Sequence, residues 1–484
     1  MSFFLAKVPE GTHLYHGTWK PGPIQGTEWL AFEPEHALLF ARSRSPPQRD
    51  PPDGHPTEPM GSSHHRNRQY PLQVPNYESG PEPNPEPSTP GYLHTYTPTH
   101  PLHLLYIDGM SAGKTSNGTL DTQDYVLVNL SDSKRGGMVG EFERAHTLCN
   151  LSATVWQHKI DGVIRMEGGF EIILCDFERD LELQEIIPVR ESEAGNGRRM
   201  GMLGGWRYYK AITDRYHGIG GSRVTLDYDY FVSAFEDAIP AMWDNDVQSD
   251  IAMPRLENVA DGHLVKIRDR VTQMIVASNR EGTKKEKGVG TNWQEVIDMI
   301  VERYTAPLHY LGNASSPVRT SEEELGTYLA SLLRPFIDYT LRNTTREVQR
   351  CVSQFLPSSM DDATLAARAV QSVTHRICST LLVSLDTSIL SLSKSSLADS
   401  LAHINALVRY LQWTTWKQCL SCNDEEICMT PIWPMGTHED HRAPSCLKES
   451  DVVGRGGYWG TMMGRPPPER WDEGVQGVGK TPRA

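Results

Sequence analysis

The chain has 484 residues, 38% of them hydrophobic and 22% charged, and its 61 acidic against 47 basic side chains give a formal net charge of -14. That length calls for two or three domains of roughly 100–200 residues each. The acid excess argues against a protein that coats nucleic acid or an anionic membrane, since both demand basic surface, and no run reaches the ~18 uninterrupted apolar residues of a spanning helix. Neither nucleic acid nor a membrane is therefore an expected partner, which leaves an unknown protein or a small molecule.

In chain order, His13-Leu14-Tyr15-His16-Gly17-Thr18 reads as a strand, and Phe32 to Ala41 as a strand end followed by a short helix with Pro34 and Glu35 in its first turn. Residues 43–90 are dense in Pro, Ser, Gly and charge and read as a disordered insertion. Strand patterns return at 91–96 and 102–108, a helix is expected from Glu141 to about Gln157, and the two apolar runs 160–166 and 170–177, joined by a Gly pair, read as a hairpin. The expected fold class is thus α+β, with a mixed sheet domain over residues 1–190.

After a Gly- and charge-rich link, Val224–Tyr228 reads as a strand. Helical periodicity then recurs near 232–242, 255–280, 292–303, 321–341, 344–356 and 360–412. Residues 200–452 are expected to form a mainly α-helical domain with a Cys-rich end, and 453–484 a Gly/Pro-rich tail. Trp206-Arg207-Tyr208-Tyr209 and Trp413 with Trp416 are expected to anchor elements to a core rather than stack bases. His64-His65 is assigned no role.

The Cys419-x2-Cys422-x5-Cys428-x17-Cys446 run offers four sulfur ligands for a structural zinc, or two disulfides. Cys149, Cys175, Cys351 and Cys378 sit in apolar contexts that read as buried free thiols. Five N-x-S/T sequons, at Asn117, Asn129, Asn150, Asn313 and Asn343, keep a secretory location open. The absence of a signal-peptide pattern at the start favours a cytoplasmic one. The loop Gly109–Thr115 ends in GKT, but three residues rather than four separate Gly109 from Gly113, so a phosphate-cradling role for Lys114 is not expected.

HLYHGT resembles the first strand motif of ADP-ribosyltransferase-like domains, and FEPEHALLFA, LHTYTPTHPLHLLYID and the 160–176 strand pair resemble, in order, the segments that follow it. The resemblance covers roughly residues 10–180. It implies NAD as cofactor, bound by His16, Gly17, Thr18, Phe40 and Tyr96, with Glu171 and His16 as the catalytic pair. A carboxylate there would stabilise the oxocarbenium-like state formed as the bond to nicotinamide breaks. The implied activity is NAD-dependent ADP-ribosyl transfer or NAD glycohydrolysis, the helical domain binding a partner or substrate. The alternative is a non-catalytic accessory or interaction protein in which Glu171 and His16 are structural. A third reading, a hydrolase using Glu167, Glu171, Asp176 and Glu178, fits poorly because alternation separates Glu171 from Asp176. GMSAGKTSNGTLDTQD, RMEGGFEIILCDFE and YHGIGGSRV resemble a family of uncharacterised ascomycete fungal proteins, a likeness that implies little chemistry.

Overall fold

The structure is a computed structural model, and it describes residues 1–38, 40–41, 90–113, 118–129, 140–189, 210, 218–243, 253–278, 291–356, 364–390, 396–419, 421–429, 440 and 443–452. Residues 43–89 of the insertion expected at 43–90, His64-His65, Lys114 and Thr115, the aromatic run 206–209 and the tail 453–484 lie outside these residues.

Alternation of apolar and polar residues builds a mixed sheet. In chain order come β1 (Ser2–Val8), β2 (Leu14–Thr18), β3 (Glu28–Ala31), α1 (Pro34–Leu38), β4 (Gly91–Pro98), β5 (Leu102–Ile107), a π-helical turn (Thr122–Leu127) and α2 (Glu141–Ala153). These are followed by β6 (Gly162–Met166), β7 (Phe170–Leu174), α3 (Phe177–Asp180), β8 (Leu181–Val189) and β9 (Thr225–Ser233). Among the described residues they form one nine-stranded sheet in the order β8-β4-β2-β3-β7-β6-β5-β1-β9. Among the described strands only β5 and β6 pair in parallel, and the crossover between them carries α2. The expected hairpin is present, with Gly162 opposite Leu174 and Met166 opposite Phe170. The two strands 91–98 and 102–107 do not pair with each other, because β4 joins β2 and β8 while β5 joins β1 and β6.

Strand parity sorts the apolar residues onto two faces. One face carries Leu14, Leu30, Leu102, Leu104, Ile164, Ile172 and Leu174, closed by Ile24 and Phe177. The other carries Phe3, Leu105, Ile107, Val163 and Ile173, covered by α2, the π-turn and α4 (Asp261–Ala277), which presents Leu264, Ile267, Val271 and Ile275. Both β9 and α4, read from sequence as the start of the helical block, therefore pack with the first one.

The helical region contains α5 (Trp293–Gly312), α6 (Glu322–Leu333), α7 (Thr344–Ser353), α8 (Leu365–Leu390) and α9 (Ser396–Leu411). In α5 the buried residues Trp293, Val296, Ile300, Tyr304, Leu308 and Leu311 recur at three- and four-residue spacing and form one stripe. They pack against Leu325, Leu329 and Leu333 of α6 and Ile377, Leu381 and Leu385 of α8. Side-chain oxygens start three of these helices: Asn292, Ser321 and Asn343 accept from the backbone N–H three residues on. Trp413 and Trp416 pack on this core as expected, with Trp416 Nε1 donating to the Thr305 carbonyl at 3.1 Å.

All eight cysteines are paired, as Cys149–Cys175, Cys351–Cys378, Cys419–Cys428 and Cys422–Cys446. This corrects the reading of the first four as free thiols: their Cα atoms, 5.3 and 6.0 Å apart, are brought within bonding reach by the packing of α2 beside the end of β7 and of α7 on α8. Among the described residues no helix is long and apolar enough to cross a membrane.

Gly17 marks the tightest approach in the sheet domain. A Cβ there would lie 1.8 Å from the Ala37 carbonyl oxygen of α1, whereas one at Gly22 would meet nothing within 4 Å. Gly17→Ala is expected to lower stability by about 3 kcal/mol or more, and Gly22→Ala by no more than about 0.5 kcal/mol, as measured by denaturant unfolding.

Candidate functional site

The HLYHGT strand places alternate residues on opposite sides of the sheet, and this decides what the expected site residues can do together. Tyr15 pairs with Ala31, Ala31 with Glu171, and Glu171 with Arg165, so these four stand in one cross-strand row. His16 pairs with His94 and is one residue out of step with that row, so its side chain emerges on the opposite face from Glu171. The five residues expected to hold NAD divide likewise. His16, Thr18 and Tyr96 face one side, while Gly17 faces the other, where the half-buried Phe40 ring lies 5.9 Å from that of His36. The catalytic pair implied by the transferase resemblance is therefore not brought together, and its binding set is split across the sheet.

On the His16 face, Nδ1 of His16 donates to the Trp29 carbonyl at 2.7 Å, and the ring packs edge-on against Phe177. Burial first, then the neighbouring His94 and Lys20, push its pKa down to about 3 against the favourable Trp29 bond, so the imidazole is neutral. Beside it, His94 Nε2 donates to the Lys20 carbonyl at 3.0 Å, which leaves Nδ1 to accept from the Tyr96 hydroxyl at 3.2 Å. The same hydroxyl accepts from Ile24 N–H at 3.0 Å. Tyr96 is thus tied into the strand framework. Thr18 Oγ1 accepts from Lys20 N–H at 3.3 Å. Glu28, on the same face, is 6% exposed, and its Oε2 has no hydrogen-bond partner among the described residues. Burial raises its pKa to about 7, opposed by the Lys20 charge.

The Glu171 face holds a denser arrangement. Arg165, fully buried on β6, donates from Nε to Glu171 at 2.7 Å, from Nη1 to the Gln123 side-chain oxygen at 3.1 Å, and from Nη2 to Glu141. Arg144 of α2 also reaches Glu141, at 3.4 Å, and grips Asp124 of the π-turn at 2.5 and 3.0 Å through two nitrogens. Gln123 donates on to the Ser111 carbonyl, whose hydroxyl donates to Ile107 O at 2.7 Å. His36 of α1 lies 3.6 Å from the other Glu171 oxygen. Two guanidinium groups and three carboxylates thus form a continuous buried chain across α1, the π-turn, α2, β6 and β7. Charges removed from water at this depth are tolerated only when each is paired.

Glu171 and the two motif blocks 109–124 and 165–178 stand out in the sequence, but their meeting does not, nor do the roles of Arg165, Glu141, Arg144, Asp124, His36, Glu28 and His94. The signal was the opposite charge in LDTQD, EFERA and IRMEGGFE. It becomes specific only once three non-adjacent segments are known to converge. Asp176 caps α3 through a bond from Arg179 N–H and Glu178 is exposed, so the four carboxylates of the hydrolase reading do not gather.

At the Cys-rich end, β10 (Ile427–Met429) pairs with β11 (Ser445–Leu447) and brings Cys428 opposite Cys446. The sulfurs of Cys419, Cys422 and Cys446 lie within 4.8 Å of one another, close enough for one metal ion to bridge them. In the structure these residues and Cys428 are engaged in two disulfides, and a disulfide sulfur lacks the thiolate charge that zinc requires. The donor set fits zinc in its reduced form alone.

The class defined by these observations is a mixed α+β sheet domain, with a buried ionic chain on one face, joined to a largely helical region. Residues 1–197, which include β1 to β8, match the family described as the YPL277C N-terminal domain. The chain is 32% identical over 201 residues to a Saccharomyces cerevisiae protein described as uncharacterized protein YOR389W, covering 39% of this chain and 30% of that one. It is also 32% identical over 199 residues to uncharacterized protein YPL277C of the same yeast, covering 39% and 38% respectively. The chain spans about a third of the length of these curated relatives. Similarity to uncharacterised ascomycete proteins, expected from the motifs, holds for the sheet domain. No solved structure matches the chain.

Arg165→Met leaves Glu141 and Glu171 buried without their shared cation and is expected to cost about 3–5 kcal/mol in denaturant unfolding. The triple change Arg165→Met, Glu141→Gln, Glu171→Gln should cost less than the single one. Stability should also depend on pH through two opposed groups. Glu28, its folded pKa raised from the ordinary 4.5 to about 7, binds more protons folded than unfolded, so stability falls as pH rises through that window, by roughly 3 kcal/mol at most. His16, depressed from 6.5 to about 3, stabilises fully above pH 6.5 and loses that contribution as pH falls toward 3. Glu28→Gln should abolish the first slope and His16→Gln the second in unfolding curves taken from pH 3 to 8.

Proposed function

We propose that this is a non-catalytic accessory or interaction protein, of the kind expected in a fungal pathway, whose sheet domain is a rigid scaffold and whose helical region engages a protein or small-molecule partner. One observation carries the reading: His16 and Glu171 emerge on opposite faces of the sheet, each already engaged by the fold. Supporting it, His16 is held neutral by burial and bonded to Trp29. Glu171 is paired with Arg165, so a ribose hydroxyl would have to displace a buried ion pair to reach it.

The second reading, NAD-dependent ADP-ribosyl transfer or NAD glycohydrolysis, is favoured by the position of Glu171 at the head of β7, after strands that occur in the order the resemblance implies. Incubation of the full chain with NAD+ labelled in the adenylate and in the nicotinamide moieties separates the two. The scaffold reading expects no nicotinamide release, no label transfer and no NAD+ binding by calorimetry, in the wild type and in Glu171→Gln alike. Release that disappears in a folded Glu171→Gln variant would establish the transferase reading instead.

A further inference from the structure

The four disulfides and the sequons, taken together, carry an inference that neither carries alone. Every cysteine of the chain is paired, and the pairs fall in both cores as well as at the Cys-rich end. Two close loops of 26 and 27 residues inside packed structure. An even, fully paired set of cysteines, Cys351 and Cys378 buried and the other six half-buried, is the pattern of a chain folded where thiols are oxidised, and is rare where they are kept reduced.

The asparagines of four sequons are described, and all four, Asn129, Asn150, Asn313 and Asn343, are exposed. Two occupy positions well suited to a large substituent. Asn313 ends α5 and accepts from Ser315 N–H through Oδ1 at 3.0 Å. Asn343 precedes α7 and accepts from Arg346 N–H through Oδ1 at 3.0 Å. In both, the amide uses its oxygen to close a turn or cap a helix, and the atom that carries an N-linked glycan is the nitrogen, Nδ2. The structural role and the modification use different atoms of the same side chain, so a sugar is added without loss of the cap.

We propose that the chain matures in the oxidising secretory pathway and carries N-linked glycans on Asn313 and Asn343. This goes beyond the scaffold reading and stands or falls independently of it. In the transfer, Nδ2 attacks the anomeric carbon of a lipid-pyrophosphate-linked oligosaccharide. The N–C bond forms, the C–O bond to pyrophosphate breaks, and the amide gives up one proton. Each disulfide forms as two thiols yield two electrons and two protons to a disulfide-carrying oxidant of the same compartment, which is reduced to its dithiol. Oxidation there places Cys419, Cys422, Cys428 and Cys446 in disulfides rather than around zinc.

The test uses the full-length protein purified from the cells that naturally make it. Intact mass is measured before and after treatment with a peptide N-glycosidase, and thiols are titrated in denaturant with and without prior reduction. The proposal expects a mass several kilodaltons above that of the polypeptide, lost on treatment, with Asn converted to Asp at 313 and 343. It also expects no titratable thiol before reduction and eight after. Asn313→Gln and Asn343→Gln, returned to the same cells, should each remove one glycan. A polypeptide at its unmodified mass, or one that titrates free thiols or releases zinc on unfolding without reductant, overturns the proposal. Should a variant fail to accumulate, the peptide map of the wild type still decides the occupancy of both sites.

Discussion

Arg165 is the side chain on which the sheet domain turns. It stands near the end of a short strand, wholly out of water, and its three nitrogens reach Glu171 on the neighbouring strand, Glu141 on the crossover helix and Gln123 on the π-turn. A buried guanidinium must find such partners or not be buried. The segments 109–124, 141–153 and 162–174 are consequently held in one relative arrangement. A slip of β6 by a single residue would exchange Arg165 for Ile164 on this face and leave three acceptors without their donor.

The same constraint accounts for the unusual local structure. The π-turn at Thr122–Leu127 widens the backbone just where Gln123 and Asp124 face the arginines, and π-bulges of this kind recur where side chains must be aimed at a fixed target. Gly17 permits α1 to lie directly on β2, which sets His36 beside Glu171. A larger residue at 17 would lift the helix and open the end of the ionic chain. The opposite face has a different character: its polar groups, His16, His94 and Tyr96, are joined to backbone atoms and serve to close the sheet over Ile24 and Phe177.

The helical region is built on simpler terms. Amphipathic stripes on α5, α6 and α8 bury apolar side chains against one another, capping residues begin the helices, and one disulfide ties α7 to α8. Its link to the sheet domain runs through β9, whose Tyr228 and Phe231 pack on the helical core while the strand pairs with β1. The boundary between the two cores thus lies at an edge strand rather than in the Gly-rich link that the sequence presents.

Strands, helices and the α+β class followed from the sequence because period-two and period-3.6 patterns are local, and capping residues such as Ser321 and Asn343 act within four positions. The sequons and the even cysteine number were equally plain. What local pattern did not contain was which face each strand turns toward the helices, which cysteines meet, and whether His16 and Glu171 share a site. The faces and the fate of the His16–Glu171 pair depend on register between segments more than 100 residues apart, where a single residue of register moves a side chain from one face to the other, while the cysteine pairs, 9 to 27 residues apart in sequence, depend on how neighbouring elements pack. Tertiary structure alone set the Arg165–Glu171 pair against Gln123 and Glu141 and placed His16 behind the sheet, because only there are both the apolar rows and the buried charges satisfied together.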